Sequence, residues 1–101
     1  MAVEENNSRI NWMYQVHLIV SGLVQGVCYR ADCKEEAIKL NLKGLVRNLS
    51  SGEVEVLAQG KKENIEKLIE WCRKGPPHAR VNNLKIEWQD KTEDFKFFKI
   101  I

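Results

Sequence analysis

Nine consecutive residues, Gly22-Leu23-Val24-Gln25-Gly26-Val27-Cys28-Tyr29-Arg30, join an apolar alternating segment to a run of good helix formers. At a glycine-bearing strand-to-helix junction the backbone N–H groups point out of the helix start and can cradle an anion. Arg30 adds a planar, permanently charged fork at the first helical turn, so an oxyanion there meets several donors at once. The ligand this chemistry suits is a phosphoryl group. A cation at a helix start opposes the helix dipole, and a bound anion relieves that conflict. The departure from the local rule therefore argues for a ligand over an ordinary surface arginine.

Cys28 raises a second chemistry, a thiolate nucleophile inside a phosphate loop. Spacing argues against it. Cysteine phosphatase loops place several residues between Cys and Arg, whereas only Tyr29 separates Cys28 from Arg30, and position 34 is lysine. Cys28 reads instead as a small loop-packing thiol. Cys28, Cys33 and Cys72 are odd in number and fit no paired ligand spacing, so reduced thiols are expected, with no disulfide framework and no zinc site. His17 and His78 have no cysteine or carboxylate cluster near them in sequence and receive no role.

The elements that must position these residues are legible in outline. Tyr14, Val16, Leu18 and Val20 alternate with Gln15, His17, Ile19 and Ser21, a period of two that predicts a strand ended by Gly22. A helix follows over 30–40, with Cys33, Ala37 and Leu40 on its inner side, and Asn41 and Gly44 stop it. Residues 44–49 and 53–58 form a hairpin about Ser50-Ser51-Gly52. Ile65, Leu68, Ile69 and Cys72 fall at i, i+3, i+4 and i+7, an amphipathic helix that Gly75-Pro76-Pro77 terminates. Leu84, Ile86 and Trp88 mark a fourth strand and residues 95–101 a fifth, with 89–94 connecting them. The order βαββαβ plus a C-terminal strand predicts an α+β, ferredoxin-like sandwich, an antiparallel sheet with two helices on one face.

One hundred and one residues bound the chain to one core, and a formal net charge of +2 from 16 basic and 14 acidic residues excludes a basic coat for nucleic acid. Residues 1–12 read as a flexible N-terminal tail and 13–101 as a single domain. No stretch is long and apolar enough to cross a bilayer, and Glu4 and Glu5 stand where a secretory signal carries positive charge. A cytoplasmic monomer without membrane or nucleic-acid partners is expected.

The nine-residue loop resembles the signature of the acylphosphatases. Gly44-Leu45-Val46-Arg47-Asn48, followed by Gly52-Glu53-Val54-Glu55-Val56 and Gly60, resembles that family's second signature, and Gly75-Pro76-Pro77-His78-Ala79-Arg80-Val81 its loop before the fourth strand. The similarity runs from about residue 14 to 101 and implies a stand-alone acylphosphatase-like domain. The resemblance implies that Arg30 binds the phosphoryl oxygens, that the amides of Gln25, Gly26, Val27, Cys28, Tyr29 and Arg30 complete the cradle, and that Asn48 holds the attacking water. The implied reaction is hydrolysis of small acyl phosphates to carboxylate and inorganic phosphate by in-line attack of water, with no metal and no cofactor. The chemistry asks little of the protein: the leaving carboxylate has a conjugate acid of pKa about 4, so no general acid is needed. Pre-aimed N–H groups and one guanidinium can stabilise charge on the equatorial oxygens. An amide such as Asn48 can accept a hydrogen bond from water and aim its lone pair.

Tyr29, Leu45 and Leu49 depart from the family pattern, in which phenylalanine, an aromatic and a small hydroxyl residue are usual, and Tyr29 and Leu45 read as packing changes. The resemblance also suggests that the carboxylate of Ile101 approaches Arg30. Two other readings are weighed. A non-catalytic ferredoxin-like module could bind an anion or RNA, but RNA binding of that kind needs exposed aromatics on central strands, and 53–58 has none. A domain of a larger carbamoyl-transfer maturation enzyme is disfavoured by a chain that stops at Ile101.

Overall fold

Alternation in the first strand becomes burial: Val16, Leu18 and Val20 are fully buried while His17, Ile19 and Ser21 lie on the other face, half-buried. A period of two leaves one apolar face, and that face must be covered. The structure, a computed structural model, describes residues 13–90 and 93–101, and the expected tail over 1–12 lies outside them. Its elements are β1 (Tyr14–Leu23), α1 (Tyr29–Lys39), β2 (Lys43–Asn48), β3 (Val54–Gly60), α2 (Lys62–Lys74), β4 (Arg80–Gln89) and β5 (Phe98–Ile100). The sheet order is β4-β1-β3-β2-β5. Both helices cover one face, α1 over β2 and β5, and α2 over β1, β3 and β4. Ile65, Leu68, Ile69 and Cys72 of α2 close the core against that face, as their spacing requires.

The expected antiparallel sheet needs one correction: β5 pairs parallel to β2, with Gly44 opposite Phe98 and Val46 opposite Ile100. Direction explains it. β4 runs antiparallel to β1 at the far edge, so it ends at the same end of the sheet at which β2 starts. The chain then has only to cross that end of the sheet, and the strand it forms runs the way β2 runs. β5 is also shorter than the expected 95–101, because residues 95–97 belong to the crossing.

Glutamines hold that crossing. Gln89, Gln15 and Gln59 stand side by side on β4, β1 and β3. Gln59 Nε2 donates to Gln15 Oε1 (2.8 Å) and Gln15 Nε2 to Gln89 Oε1 (2.8 Å). Gln59 Oε1 then accepts the N–H of Phe95 (3.1 Å), and its amide also donates to the Glu93 carbonyl. Buried amides must be paired, and these pair with each other and with the connection. The row thereby places β5, and with it Ile100, beside β2.

Candidate active site

At the opposite end of the sheet β1 runs into the nine-residue loop. A bulge falls between Ser21 and Gly22, where β4 comes so close that a Cβ on Gly22 would lie 2.1 Å from the Arg80 carbonyl oxygen. Only glycine fits there, and the bulge turns Leu23 and Val24 into the loop. Gly26 and Cys28 then take left-handed conformations (φ 76° and 65°) on either side of Val27. Such alternation turns successive N–H groups into one concavity. Cys28 occupies the position before α1 and supplies no side-chain cap. The first helical bond runs from the Asp32 N–H to the Cys28 carbonyl (3.1 Å). Among the described residues, the amides of Val27, Cys28, Tyr29, Arg30 and Ala31 find no acceptor, so the helix start keeps its donors for a ligand.

Arg30 lies in the first turn of α1, half-buried and in no ion pair among the described residues. Asn48 ends β2, opposite Val54 of β3. Both line one cleft of about 180 Å³ together with Gly26, Cys28, Tyr29 and Ile100. The sequence separates Arg30 from Asn48 by a whole helix, and the split βαβ topology brings them together. Asn48 Oδ1 is buried and has no hydrogen-bond partner within the described protein. Buried acceptors without partners are rare, and this one belongs to a residue that lines the cleft.

Gln25 has a role the sequence did not disclose. Its side-chain amide donates to the carbonyls of Leu49 (2.8 Å) and Glu53 (2.9 Å), tying the nine-residue loop to the turn that follows Asn48. That turn is closed by Leu49 N–H to Glu53 O (2.8 Å) and Gly52 N–H to Leu49 O (3.1 Å). Leu49 thus contributes through its backbone. No local signal marks the contact, because it spans 24 and 28 residues.

Two expectations about side chains change. Cys28 is exposed and does not pack the loop, so its backbone conformation is what the site uses. Tyr29 is more than a packing substitution: fully buried against Trp71 (ring centroids 5.3 Å apart), it donates its hydroxyl to the Cys72 carbonyl (2.7 Å). That carbonyl lies in the last turn of α2, where intrahelical donors run out. Burial, then the neighbouring Cys72, pushes the phenol far above its ordinary pKa, so it stays a donor. The site is in this way fastened to α2 as well as to β2.

The chain end does not reach Arg30 in an ion pair: Ile100 lines the cleft, and the Ile101 N–H bonds the Val46 carbonyl (3.0 Å). His17 is on the uncovered sheet face, bonded to Glu55 (2.7 Å), which also pairs with Arg47. Among the described residues no three His, Cys, Asp or Glu side chains converge as a metal site. The donors in the cleft are amides and a guanidinium, a set that suits an oxyanion.

Known proteins resemble this chain in sequence and in fold. The sequence profile of the Acylphosphatase family matches residues 16–100. An acylphosphatase of Pelotomaculum thermopropionicum is 45% identical over 86 residues, which cover 85% of this chain and 94% of that protein. One from Aeropyrum pernix is 43% identical over 89 residues, 87% and 88% of the two chains. Among solved structures, an acylphosphatase from Coxiella burnetii superposes with a TM-score of 0.86 at 39% identity, covering 91% of this chain and 96% of that one. A full-length HypF in its phosphate- and nucleotide-bound form matches 88% of this chain at a TM-score of 0.81 and 30% identity, over 12% of its own length. In sequence and in backbone alike, the chain belongs to the acylphosphatase family.

Proposed function

We propose that this protein hydrolyses small acyl phosphates by direct attack of water on phosphorus, with Arg30 and Asn48 as its catalytic pair. The observation that carries the reading is the single cleft lined by a helix start without a side-chain cap, by Arg30 and by Asn48, whose Oδ1 has no partner among the described residues. The phosphoryl oxygens take hydrogen bonds from the amides of the loop from Gln25 to Arg30 and from the guanidinium. Water donates one hydrogen bond to Asn48 Oδ1, which aims its lone pair along the in-line axis. As the new P–O bond forms, the bond to the acyl oxygen breaks. Its electron pair leaves on the carboxylate, and the water proton passes to phosphate or solvent. The carboxylate is a good leaving group, so positioning and charge supply the catalysis and no metal or covalent intermediate is invoked.

The products are a carboxylate and inorganic phosphate. We further propose a cytoplasmic monomer that needs neither nucleic acid nor membrane. The near-neutral charge supports this. So does the sheet face left open by the helices, where His17, Ile19, Glu55 and Leu57 on the central strands include no Phe, Tyr or Trp, and His17 is bonded to Glu55. No helix among the described residues is long and apolar enough to cross a membrane.

The test is hydrolysis of benzoyl phosphate in the presence of a chelator by wild type, Arg30→Ala and Asn48→Ala, each checked for folding by circular dichroism. Loss of an oxyanion donor or orienting group costs on the order of 10²-fold or more in rate, and each variant is expected to lose at least that. Folded wild type without turnover overturns the proposal.

A further inference from the structure

A second cleft lies further along α1, beside the one that holds Arg30. Arg30, Lys34 and Ile38 are four residues apart, so they form one stripe on the helix. Arg30 belongs to the catalytic cleft, and Lys34 and Ile38 line a second cleft of about 530 Å³ with Lys43, Phe97 and Lys99. The same two walls bound both: α1 on one side, and on the other β5, which gives Ile100 to the first and Phe98 and Lys99 to the second. Three lysines line the second cleft and no aspartate or glutamate does. Lys34 is half-buried and makes no ion pair among the described residues, and the Lys99 ammonium stands 6.0 Å from the Phe97 ring centre. A trough lined by Ile38, Leu42, Phe97 and Phe98 together with three lysines that make no ion pair among the described residues suits an aliphatic chain with an anion at its end.

Building on the function proposed above, we propose that the α1–β5 trough receives the acyl part of the substrate, and that Lys34, with Lys99, selects acyl phosphates bearing a second, terminal carboxylate. Lys34 stands about one helical turn, about 5.4 Å along the axis, from Arg30. A four-carbon dicarboxylic acid spans that step when its phosphorylated end sits at Arg30. Its methylenes then run past Ile100. The second carboxylate is remote from the reacting phosphorus, so its contact with Lys34 is the same in ground and transition states and lowers KM more than it raises kcat.

Succinyl phosphate and butyryl phosphate have the same chain length and differ in the terminal carboxylate alone. Wild type is expected to prefer succinyl phosphate by about fivefold in kcat/KM, chiefly through KM, the effect of one partly exposed ion pair. Lys34→Gln removes most of that preference, Lys99→Gln part of it, Lys34→Arg restores it, and added salt weakens it. A ratio near one in wild type, or a ratio that folded Lys34→Gln and Lys99→Gln leave intact, overturns the inference. Binding of 5-phosphonopentanoate against pentylphosphonate, followed by calorimetry, repeats the comparison without turnover. Should folded wild type hydrolyse neither acyl phosphate, the proposed function fails, and the phosphonate pair alone decides the trough. Tighter binding of the diacid, lost in Lys34→Gln, upholds it, and equal binding overturns it.

Discussion

Replacing Gln25 by alanine separates two things, the backbone amide assigned to the proposed cradle and a side chain that braces the loop. The amide survives the substitution. Two neutral, half-buried hydrogen bonds are lost, to the carbonyls of Leu49 and Glu53. Each carbonyl keeps another donor, the N–H of Gly52 for Leu49 and the N–H of Leu49 for Glu53. Neither is left orphaned, so the cost is the ordinary one of about 1 kcal/mol per bond, about 2 kcal/mol in all. In a domain of this size that lowers Tm by about 10 °C. The catalytic cost comes through Asn48, whose next residue is one of the two anchor points. A misplacement of about 1 Å in an orienting group costs about 10²-fold. In the proposed site phosphate binding falls to Arg30 and the amides, so kcat is expected to fall about 10²-fold while the inhibition constant for inorganic phosphate changes little. Gln25→Glu, of the same shape, sets carboxylate oxygens against two carbonyls and is expected to be less stable than Gln25→Ala. Steady-state kinetics well below the lowered Tm, with urea unfolding alongside, measure both effects. An alanine variant that keeps wild-type kcat refutes the bracing role, even if its stability falls as predicted.

Glu55 offers a pH signature. Its burial raises its pKa, but hydrogen bonds and charges from His17 and Arg47 more than offset this, leaving it below the ordinary carboxylate value. A depressed folded pKa means stability that is present above the unfolded value, about 4.3, and lost as pH falls through the folded one. Glu55→Gln is therefore expected to be less stable than wild type at pH 7, with the gap closing toward pH 3 in urea titrations; a gap independent of pH refutes the assignment. Native protein is expected to take up one equivalent of N-ethylmaleimide, at the exposed Cys28, and three after denaturation, with inorganic phosphate slowing the first. A hydrogen bond to Cys72 and burial hold the Cys33 thiol well above its ordinary range, and rapid native labelling of Cys33 would contradict the packing. Gly22→Ala forces a Cβ onto the Arg80 carbonyl and is expected to cost at least about 3 kcal/mol, whereas Gly26→Ala meets nothing within 4 Å and costs the left-handed conformation alone, about 1–2 kcal/mol. Equal losses in thermal unfolding would refute that contrast.

Much of this was visible in local patterns. The alternation of Val16, Leu18 and Val20 and the stripe Ile65, Leu68, Ile69, Cys72 each became a buried face, because side-chain direction in a strand or helix follows from backbone geometry a few residues long. The loop and Arg30 could be read for the same reason: a strand, a glycine turn and a helix start are contiguous, and so are the donors they present. Asn48 was harder, because only a family resemblance lifted it above an ordinary turn residue.

Contacts between distant elements followed no such pattern. The hydroxyl of Tyr29 finds the Cys72 carbonyl, and the Gln25 amide finds the turn after Asn48, because strand order set those segments side by side. The glutamine row and the parallel placement of β5 belong to the same class, and they decide that Ile100 closes one end of the catalytic cleft and that a lysine-lined trough opens beyond it. The amino-acid sequence by itself determined the elements, their buried faces and the glycine-bearing strand-to-helix junction that presents Arg30, since these depend on neighbours along the chain. Tertiary structure alone decided which residues brace that junction, what lies beside it and how the last strand runs, since a hydrogen bond between residues 24 to 44 apart exists only once the sheet has chosen its neighbours.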